Sequence, residues 1–291
     1  MNIEEWQLEI NKIIENAIKE DINDPFQIIP IGDHSSLSCI PVSQNGAARL
    51  LVKDEGILAG VELAKMICEK IDLGIQFEQF LKDGDKIKKG DVAFVLHGKS
   101  VKILQAERLI LNFMQRMSGI ATNTKRYVDL VVGTTAKVLD TRKTTPGIRV
   151  IEKWAVQIGG GQNHRFGLYD MIMLKDNHID YCGGITAAVN KVKEYQEKIN
   201  TNLRVEVEAR TLEDVKEILQ LEGVDRVMFD NFSVENVFKA VALVNKKIET
   251  EVSGGINLHT IASYAAANPD FISVGALTHS SGSLDLSLKA I

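Results

Sequence analysis

Cysteine is scarce in this chain: three residues, Cys39, Cys68 and Cys182, lie far apart among 291. Three scattered thiols build neither a disulfide framework nor a thiolate metal site, and a reducing cytoplasm fits them best. An excess of positive charge is also missing. The formal net charge is -5, whereas tracking a phosphate backbone needs a broad basic surface, so nucleic acid is excluded as a general partner. Any anion site must then be a local basic cluster in an acidic protein. No apolar run is long enough to span a bilayer, and the opening "MNIEEWQLEINKIIENAIKED" lacks a basic start followed by an apolar core, which predicts a protein neither exported nor embedded in a membrane. What the chain does have is 45% hydrophobic and 25% charged residues, enough for one large domain or two smaller ones.

The first third and the remainder differ in texture. Ile10, Ile13, Ile14, Ala17 and Ile18 form a helical stripe over residues 4–20, which predicts a surface helix. "INDPFQIIPIGDHSSLSCIP" reads as a loop with at most one short strand. "AARLLVKDEGILAG" and "FEQFLKDGDKIKKGDVAFVLHGKS" read as β structure with turns at Asp83-Gly84 and Lys89-Gly90. The N-terminal part is therefore predicted to be an α+β domain. In "VKILQAERLILNFMQRMSGIAT", residues 101–122, Ala106, Leu109, Ile110, Phe113, Met114 and Met117 share one helical face, with Gln105, Arg108, Asn112, Gln115 and Arg116 on the other.

After residue 135 the pattern becomes regular. "AKVLD", "DMIMLK", "LRVEVEA", "DRVMFD", "ETEVSGG" and "DFISVGA" read as strands, alternating with helical segments such as "GIRVIEKWAVQIG", "TLEDVKEILQLEG", "SVENVFKAVALVNKK" and "NLHTIASYAAAN". Thr211 with Asp214 and Ser233 with Asn236 occupy cap and first-turn positions. Alternation of this kind means parallel strands with crossover helices. Six such units without a Gly-x-Gly-x-x-Gly after the first strand favour a closed or nearly closed barrel over a doubly wound sheet.

Barrels carry their chemistry at the C-terminal ends of the strands. Here those ends are Asp140 to Lys143, Lys175 to Asn177, Glu208 and Arg210, Asp230 and Asn231, Ser253 to Gly255, and Gly275. Arg142, Lys143, Arg165 and Lys175, joined by His164, make a basic half suited to carboxylates and phosphates. Glu208 and Asp230 make an acidic half whose hard oxygens suit Mg2+. The competing reading is that these charges pair among themselves. Glycines in "VSGGIN" and "SVGALTHS" let backbone N–H groups approach an anion, the place where barrels commonly hold a phosphate. His164 and His178 lack the helical spacing of a zinc pair.

"TRKTTPGIR", "GGGQNHRFGLYDMIMLKDNH", "VEVEA", "FDNF", "VSGGI" and "SVGALTHS", with "AERLILNFMQRMSGIAT", resemble the quinolinate phosphoribosyltransferases (carboxylating nicotinate-nucleotide pyrophosphorylases), in order from about residue 100 to the C-terminus. The resemblance implies an N-terminal α/β sandwich over 1–115, with 278–291 packing back onto it, and an incomplete, seven-stranded α/β barrel over 116–277. It implies that quinolinate and phosphoribosyl pyrophosphate react, with Mg2+, to nicotinate mononucleotide, pyrophosphate and CO2. Thr141, Arg142, His164, Arg165 and Lys175 would hold quinolinate, with Arg108 reaching in from the partner of a homodimer, alone or within a hexamer. Lys143, Glu208 and Asp230 would face phosphoribosyl pyrophosphate, and Ser253, Gly254, Gly255, Val274, Gly275 and Ala276 its 5-phosphate. Glu208 and Asp230 would serve the metal, directly or indirectly, and Lys143, Lys175, Glu208 and Asp230 form the catalytic set. Near the N-terminus the family runs an acid pair directly into Gly-Asp-x-Thr, whereas "KEDINDPFQIIPIGDHSS" inserts residues at about 23–31 and has serine for threonine. The rival readings are the molybdate-transport-linked paralogue of the same fold, a Schiff-base aldolase using Lys175 or Lys143, and a catalytically silent scaffold.

Overall fold

Ile10, Ile13 and Ile14 bury the inner face of the first helix in the computed structural model, which describes residues 3–23, 25, 26 and 28–291. This helix, α1 (Ile3–Ile22), is followed by α2 (His34–Cys39), β1 (Asn45–Val52), β2 (Gly56–Ile57), α3 (Val61–Ile71), β3 (Gln76–Gln79), β4 (Lys86–Ile87), β5 (Val92–Lys99) and α4 (Ser100–Leu130). The short α2 falls where the sequence suggested only loop; the Asp33 side chain accepts the Ser36 N–H and caps it. Positions 24 and 27 of the inserted stretch lie outside the described residues. The chain continues with β6 (Lys137–Leu139), α5 (Arg149–Ile158), β7 (Ile172–Leu174), α6 (Asp176–Cys182), α7 (Ile185–Ile199), β8 (Val205–Ala209), α8 (Leu212–Ile218), β9 (Arg226–Asp230), α9 (Val234–Val244), β10 (Glu249–Ser253), α10 (Ile261–Ala265), β11 (Phe271–Ser273), α11 (Ala276–His279) and β12 (Leu286–Ala290).

Two units result, each with its own core: Met1–Lys125 with Thr144–Gly160 and Thr278–Ile291, and Arg126–Lys143 with Gly161–Leu277. The boundary thus falls ten residues beyond the expected 115/116, within α4, and α5 groups with the first unit rather than with the barrel segments around it. The reason is visible in α5 itself. Every residue from Val150 to Val156 is buried, charged Glu152 and Lys153 included, and such a helix needs protein on all sides.

The first unit is built on an antiparallel sheet in the order β12-β1-β5-β3, beside a two-stranded β2-β4 ladder. The C-terminal strand pairs with β1 from Ala48↔Ala290 to Val52↔Leu286. Along α4, Ala106, Leu109, Ile110, Met114 and Met117 are buried as expected, whereas Phe113 is half-buried and Leu111 takes a core position instead. Arg116, on the polar face, donates through Nε and Nη2 to Glu152 Oε1 at 3.0 and 2.7 Å, and to the carbonyls of Ser281 and Thr278. Glu152 also accepts from the Thr145 N–H at 3.0 Å and hydroxyl at 2.9 Å. Its buried charge is therefore fully engaged.

In the second unit six parallel strands lie in the order β6-β11-β10-β9-β8-β7. All six strands read from the sequence are present, and Thr211 and Asp214 form a reciprocal capping box on α8. The seventh strand is reduced to one parallel bridge between Leu139 and Gln162. Beyond Gln162 the ladder stops because Asp140 draws the chain aside, accepting from the Asn163 side chain at 2.5 Å and the His164 N–H at 2.9 Å.

Gly119 marks the tightest packing of α4, since a Cβ there would lie 1.9 Å from the Gly282 carbonyl oxygen. Gly119→Ala is expected to lower stability by about 1–3 kcal/mol. Urea unfolding followed by the fluorescence of Trp6 and Trp154, both in this unit, checks it; an unchanged midpoint would show that the 282 segment yields freely.

Candidate active site

Parallel strands bring their C-terminal ends to one side of the sheet, and alternation sends every second side chain inward. On β8 the inward pair is Glu206 and Glu208, on β9 Arg226, Met228 and Asp230, on β10 Glu249, Glu251 and Ser253. The ladder sets Glu206 against Arg226, Arg226 against Glu249, and Asp230 against Ser253. Glu208 and Glu251 both lie level with Met228, and side-chain contacts divide the inward residues into two groups: Glu208 and Asp230 with Ser253 toward the strand ends, and Glu206, Arg226 and Glu251 gathered deeper in the sheet.

At the mouth, Lys175 Nζ lies 2.6 Å from Glu208 Oε1, and the Asp176 N–H donates to Glu208 Oε2 at 3.1 Å. The lysine side chain is 45% exposed and the glutamate 7%. Lys175 sits at the cap of α6, where its N–H donates to His178 Nδ1 at 3.0 Å. Charge pairing within the mouth is thus real for Lys175 and Glu208. Asp230 is half-buried, and its carboxyl is held above the usual range by burial and by the charge of Glu208. Asn231, at φ 55°, donates to Asp230 Oδ2 at 2.9 Å. Gly254 has no alternative residue here: φ is +96° and a Cβ would lie 2.2 Å from Asn231 Oδ1.

The basic side is built from two turns. Lys143 donates its N–H to Thr141 Oγ1 at 3.0 Å, closing the turn that presents Arg142. Arg142 Nε is shielded from solvent and has no hydrogen-bond acceptor among the described residues. Arg165 donates through Nη1 to the Met171 carbonyl at 3.2 Å, and burial together with the charge of Arg142 disfavours its own charge. Two guanidinium groups close enough to repel, one with a buried orphaned donor, call for an anion.

His164 is where the structure departs from the sequence expectation. It does not join the basic half facing the mouth. The residue is 7% exposed, with Nε2 2.9 Å from Glu206 Oε2 and 3.3 Å from Glu251 Oε2. Nδ1 accepts the Arg165 N–H at 2.6 Å. Burial opposes charge on the ring and the two carboxylates favour it, but the Arg165 N–H aimed at Nδ1 leaves no place for a second proton, so the ring keeps one proton, on Nε2; burial and Glu251 push Glu206 up to about 7. Arg226 donates to Glu251 at 2.7 Å and lies 4.0 Å above the Phe271 ring. The ligand atoms of His164, Glu206 and Glu251 fall within 4.8 Å of one another, a donor set that suits a metal, but the Arg226 guanidinium already supplies the cation there.

Profiles of the quinolinate phosphoribosyl transferase N-terminal and C-terminal domains match residues 33–118 and 120–289. The chain is 45% identical to the Arabidopsis thaliana carboxylating, chloroplastic nicotinate-nucleotide pyrophosphorylase over 97% of this chain and 82% of that protein. It is 41% identical to the probable carboxylating nicotinate-nucleotide pyrophosphorylase of Bacillus subtilis over 97% and 93%. The structure of NadC from Streptococcus pyogenes superposes with a TM-score of 0.89 at 36% identity, covering 98% of both chains. This chain belongs to the quinolinate phosphoribosyltransferase family.

Within this member of the family, the second unit gathers Thr141, Arg142, Lys143, Arg165, Lys175, Glu208, Asp230, Ser253, Gly254, Gly255, Val274, Gly275 and Ala276 at strand ends or the turns beyond them. Arg108 belongs to α4 of the first unit, exposed beside a surface cavity of about 390 Å³ shared with Asp33, Ser36, Cys39, Leu104 and Glu107. Sequence reading missed Glu206, Arg226 and Glu251. Their signal was available: "VEVEA" is buried at every position, and an acid inside a strand buried on both faces requires a partner.

Because the native carboxyl of Asp230 is raised, the fold binds this proton more tightly than the unfolded chain, and stability falls as pH rises through that window. Asp230→Asn is expected to raise Tm at pH 7 in protein stripped of divalent ions, with the gain shrinking toward pH 4. A lower Tm at pH 7 would show that Glu208 and Asp230 do not repel.

Proposed function

We propose that this chain transfers the phosphoribosyl group of phosphoribosyl pyrophosphate to quinolinate, with decarboxylation, giving nicotinate mononucleotide, pyrophosphate and CO2 in the de novo synthesis of NAD. The observation that carries the reading is the Arg142 and Arg165 pair, with its orphaned buried Nε, set in a mouth that also holds Glu208 and Asp230. Two guanidinium forks match the two neighbouring carboxylates of quinolinate. Thr141 and the Lys175 ammonium complete the grip, and Arg108 comes from a second copy of the chain, in a homodimer or a hexamer. His164 serves from beneath, through Arg165.

Lys143 faces the pyrophosphate, while Ser253 to Gly255 and Val274 to Ala276 offer backbone N–H groups to the 5-phosphate. Both substrates are anionic and repel, so the basic turns do the work of bringing the pyridine nitrogen against the anomeric carbon. As the glycosidic C–O bond breaks, the ribose gains positive charge, which Glu208 and Asp230 stabilise. The new N–C bond leaves the ring nitrogen cationic, which stabilises the electron pair left on the adjacent carbon when its C–CO2 bond breaks, and a proton taken up at that carbon completes nicotinate mononucleotide. The carboxylates of Asp230 and Glu208 fit a Mg2+ ion and would hold it, directly or through water. Bound with pyrophosphate, Mg2+ supplies neutralisation of the leaving charge.

Among the described residues no helix is long and apolar enough to cross a membrane; Cys39, Cys68 and Cys182 are free thiols, which suits the reducing cytoplasm of the proposed setting. A Schiff-base lysine is disfavoured, since Lys175 is committed to Glu208 at 2.6 Å; borohydride with a carbonyl substrate is expected to trap nothing.

Purified protein with Mg2+ and phosphoribosyl pyrophosphate is expected to yield nicotinate mononucleotide and CO2 from quinolinate and no product from nicotinate. Arg142→Ala and Lys175→Ala are each expected to lower kcat/KM by roughly 10²- to 10³-fold. Folded, oligomeric protein that makes no product would sink the assignment.

A further inference from the structure

Two glutamates in the interior of a parallel sheet are costly, and apolar residues of similar volume would generally stabilise such a core as well or better. Glu206 and Glu251 are buried all the same, and Arg226 does not account for both. Its guanidinium donates to Glu251 and Glu249, whereas the close contact of Glu206 is His164 Nε2 at 2.9 Å. Glu251 reaches the same nitrogen at 3.3 Å. The two carboxylates therefore converge on one imidazole.

That imidazole is joined on its other side to the next residue. Nδ1 accepts the Arg165 N–H, so the ring proton sits on Nε2, the nitrogen that the two carboxylates face at 2.9 and 3.3 Å. A second proton, on Nδ1, would cost the Arg165 bond. The guanidinium of Arg165 is meanwhile held at its far end by the Met171 carbonyl. Asp140 completes the frame: it accepts the His164 N–H and the Asn163 side chain while standing directly before the Thr141–Arg142 turn. The spacing of the two guanidinium-bearing turns is therefore set by buried groups that touch neither guanidinium.

We propose that Glu206 and Glu251 are positioning residues for Arg165, acting through the His164 ring that they grip at Nε2 and that grips the Arg165 backbone at Nδ1. The proposal rests on the reading of Arg165 as a ligand of the dicarboxylate. Its consequence is selective: loosening the grip disturbs the dicarboxylate subsite and leaves the phosphoribosyl pyrophosphate subsite, built on β8 to β11 ends, in place.

The test combines imidazole 15N NMR of the whole protein with steady-state kinetics and with calorimetric binding of phthalate, an unreactive 1,2-dicarboxylate. In the wild type, His164 is expected as the neutral Nε2–H tautomer near pH 7.5, with Nδ1 in the accepting state. In Glu206→Gln and Glu251→Gln, which keep shape and an acceptor, the His164 resonances move. KM for quinolinate and Kd for phthalate are expected to rise about tenfold or more. KM for phosphoribosyl pyrophosphate and kcat stay within about twofold, the split that separates positioning from general damage. Glu206→Leu, with no acceptor, gives a larger rise; should it fail to fold, the two glutamine variants decide. The proposal is overturned by an Nδ1-protonated His164 in the wild type, by unchanged dicarboxylate affinity in a folded glutamine variant whose His164 signals have moved, or by equal losses for both substrates. A wild type with the Nε2–H tautomer but no affinity for either dicarboxylate overturns the proposed function and the positioning role with it, while leaving the hydrogen-bond network standing.

Discussion

Charge taken out of water has to meet its opposite within hydrogen-bonding reach, and the interior of the parallel sheet is organised around that demand. Glu206, Arg226 and Glu251 come from three adjacent strands, and His164 from the turn after the lone Leu139–Gln162 bridge. A slip of one residue in any of the three strands would turn its charge to the helical layer and strand the others. The network thus locks register. Glu208, Asp230 and Ser253 lie further along the same inward faces, where the backbone ladders of β8 to β10 hold the strand ends.

The mouth itself is divided into like charges. Arg142 works against the charge of Arg165, and Glu208 against that of Asp230. Neither arrangement favours the isolated fold, and such strain is common where a site must bind ions. A bound dicarboxylate would relieve the first repulsion and a divalent cation the second. Like charges kept side by side are therefore better explained by ligands of both signs than by internal stabilisation.

Much of this was legible in the sequence, for identifiable reasons. Each of the six parallel strands is short and ends in or just before a charge or a glycine, a local signal. Thr211 and Ser233 cap helices because their hydroxyls reach an N–H three residues on, again a local matter. The illegible part depends on contacts distant in sequence. Nothing near Arg149–Ile158 says that this helix belongs with the first unit; its buried Glu152 is explained by Arg116, thirty-six residues away. His164 reads as one more base beside Arg165 until Glu206 and Glu251 are brought against it. The seventh strand is shortened to the Leu139–Gln162 bridge because Asp140 takes the Asn163 side chain and the His164 N–H just beyond it.

Lys175 shows how one residue serves both readings that the sequence left open. It is ion-paired with Glu208, yet 45% of its side chain remains exposed. An ammonium has three donors, so one directed at Glu208 leaves two for an incoming carboxylate. Glu208 is held more completely, with one oxygen on that ammonium and the other on the N–H that begins α6. Its orientation is thus decided before any ligand arrives, by a lysine and a helix end that are also part of the mouth. Pairing within the site and the proposed binding by the site are thus compatible: the acid fixes the lysine, and the lysine's remaining donors are what a dicarboxylate would find already aimed.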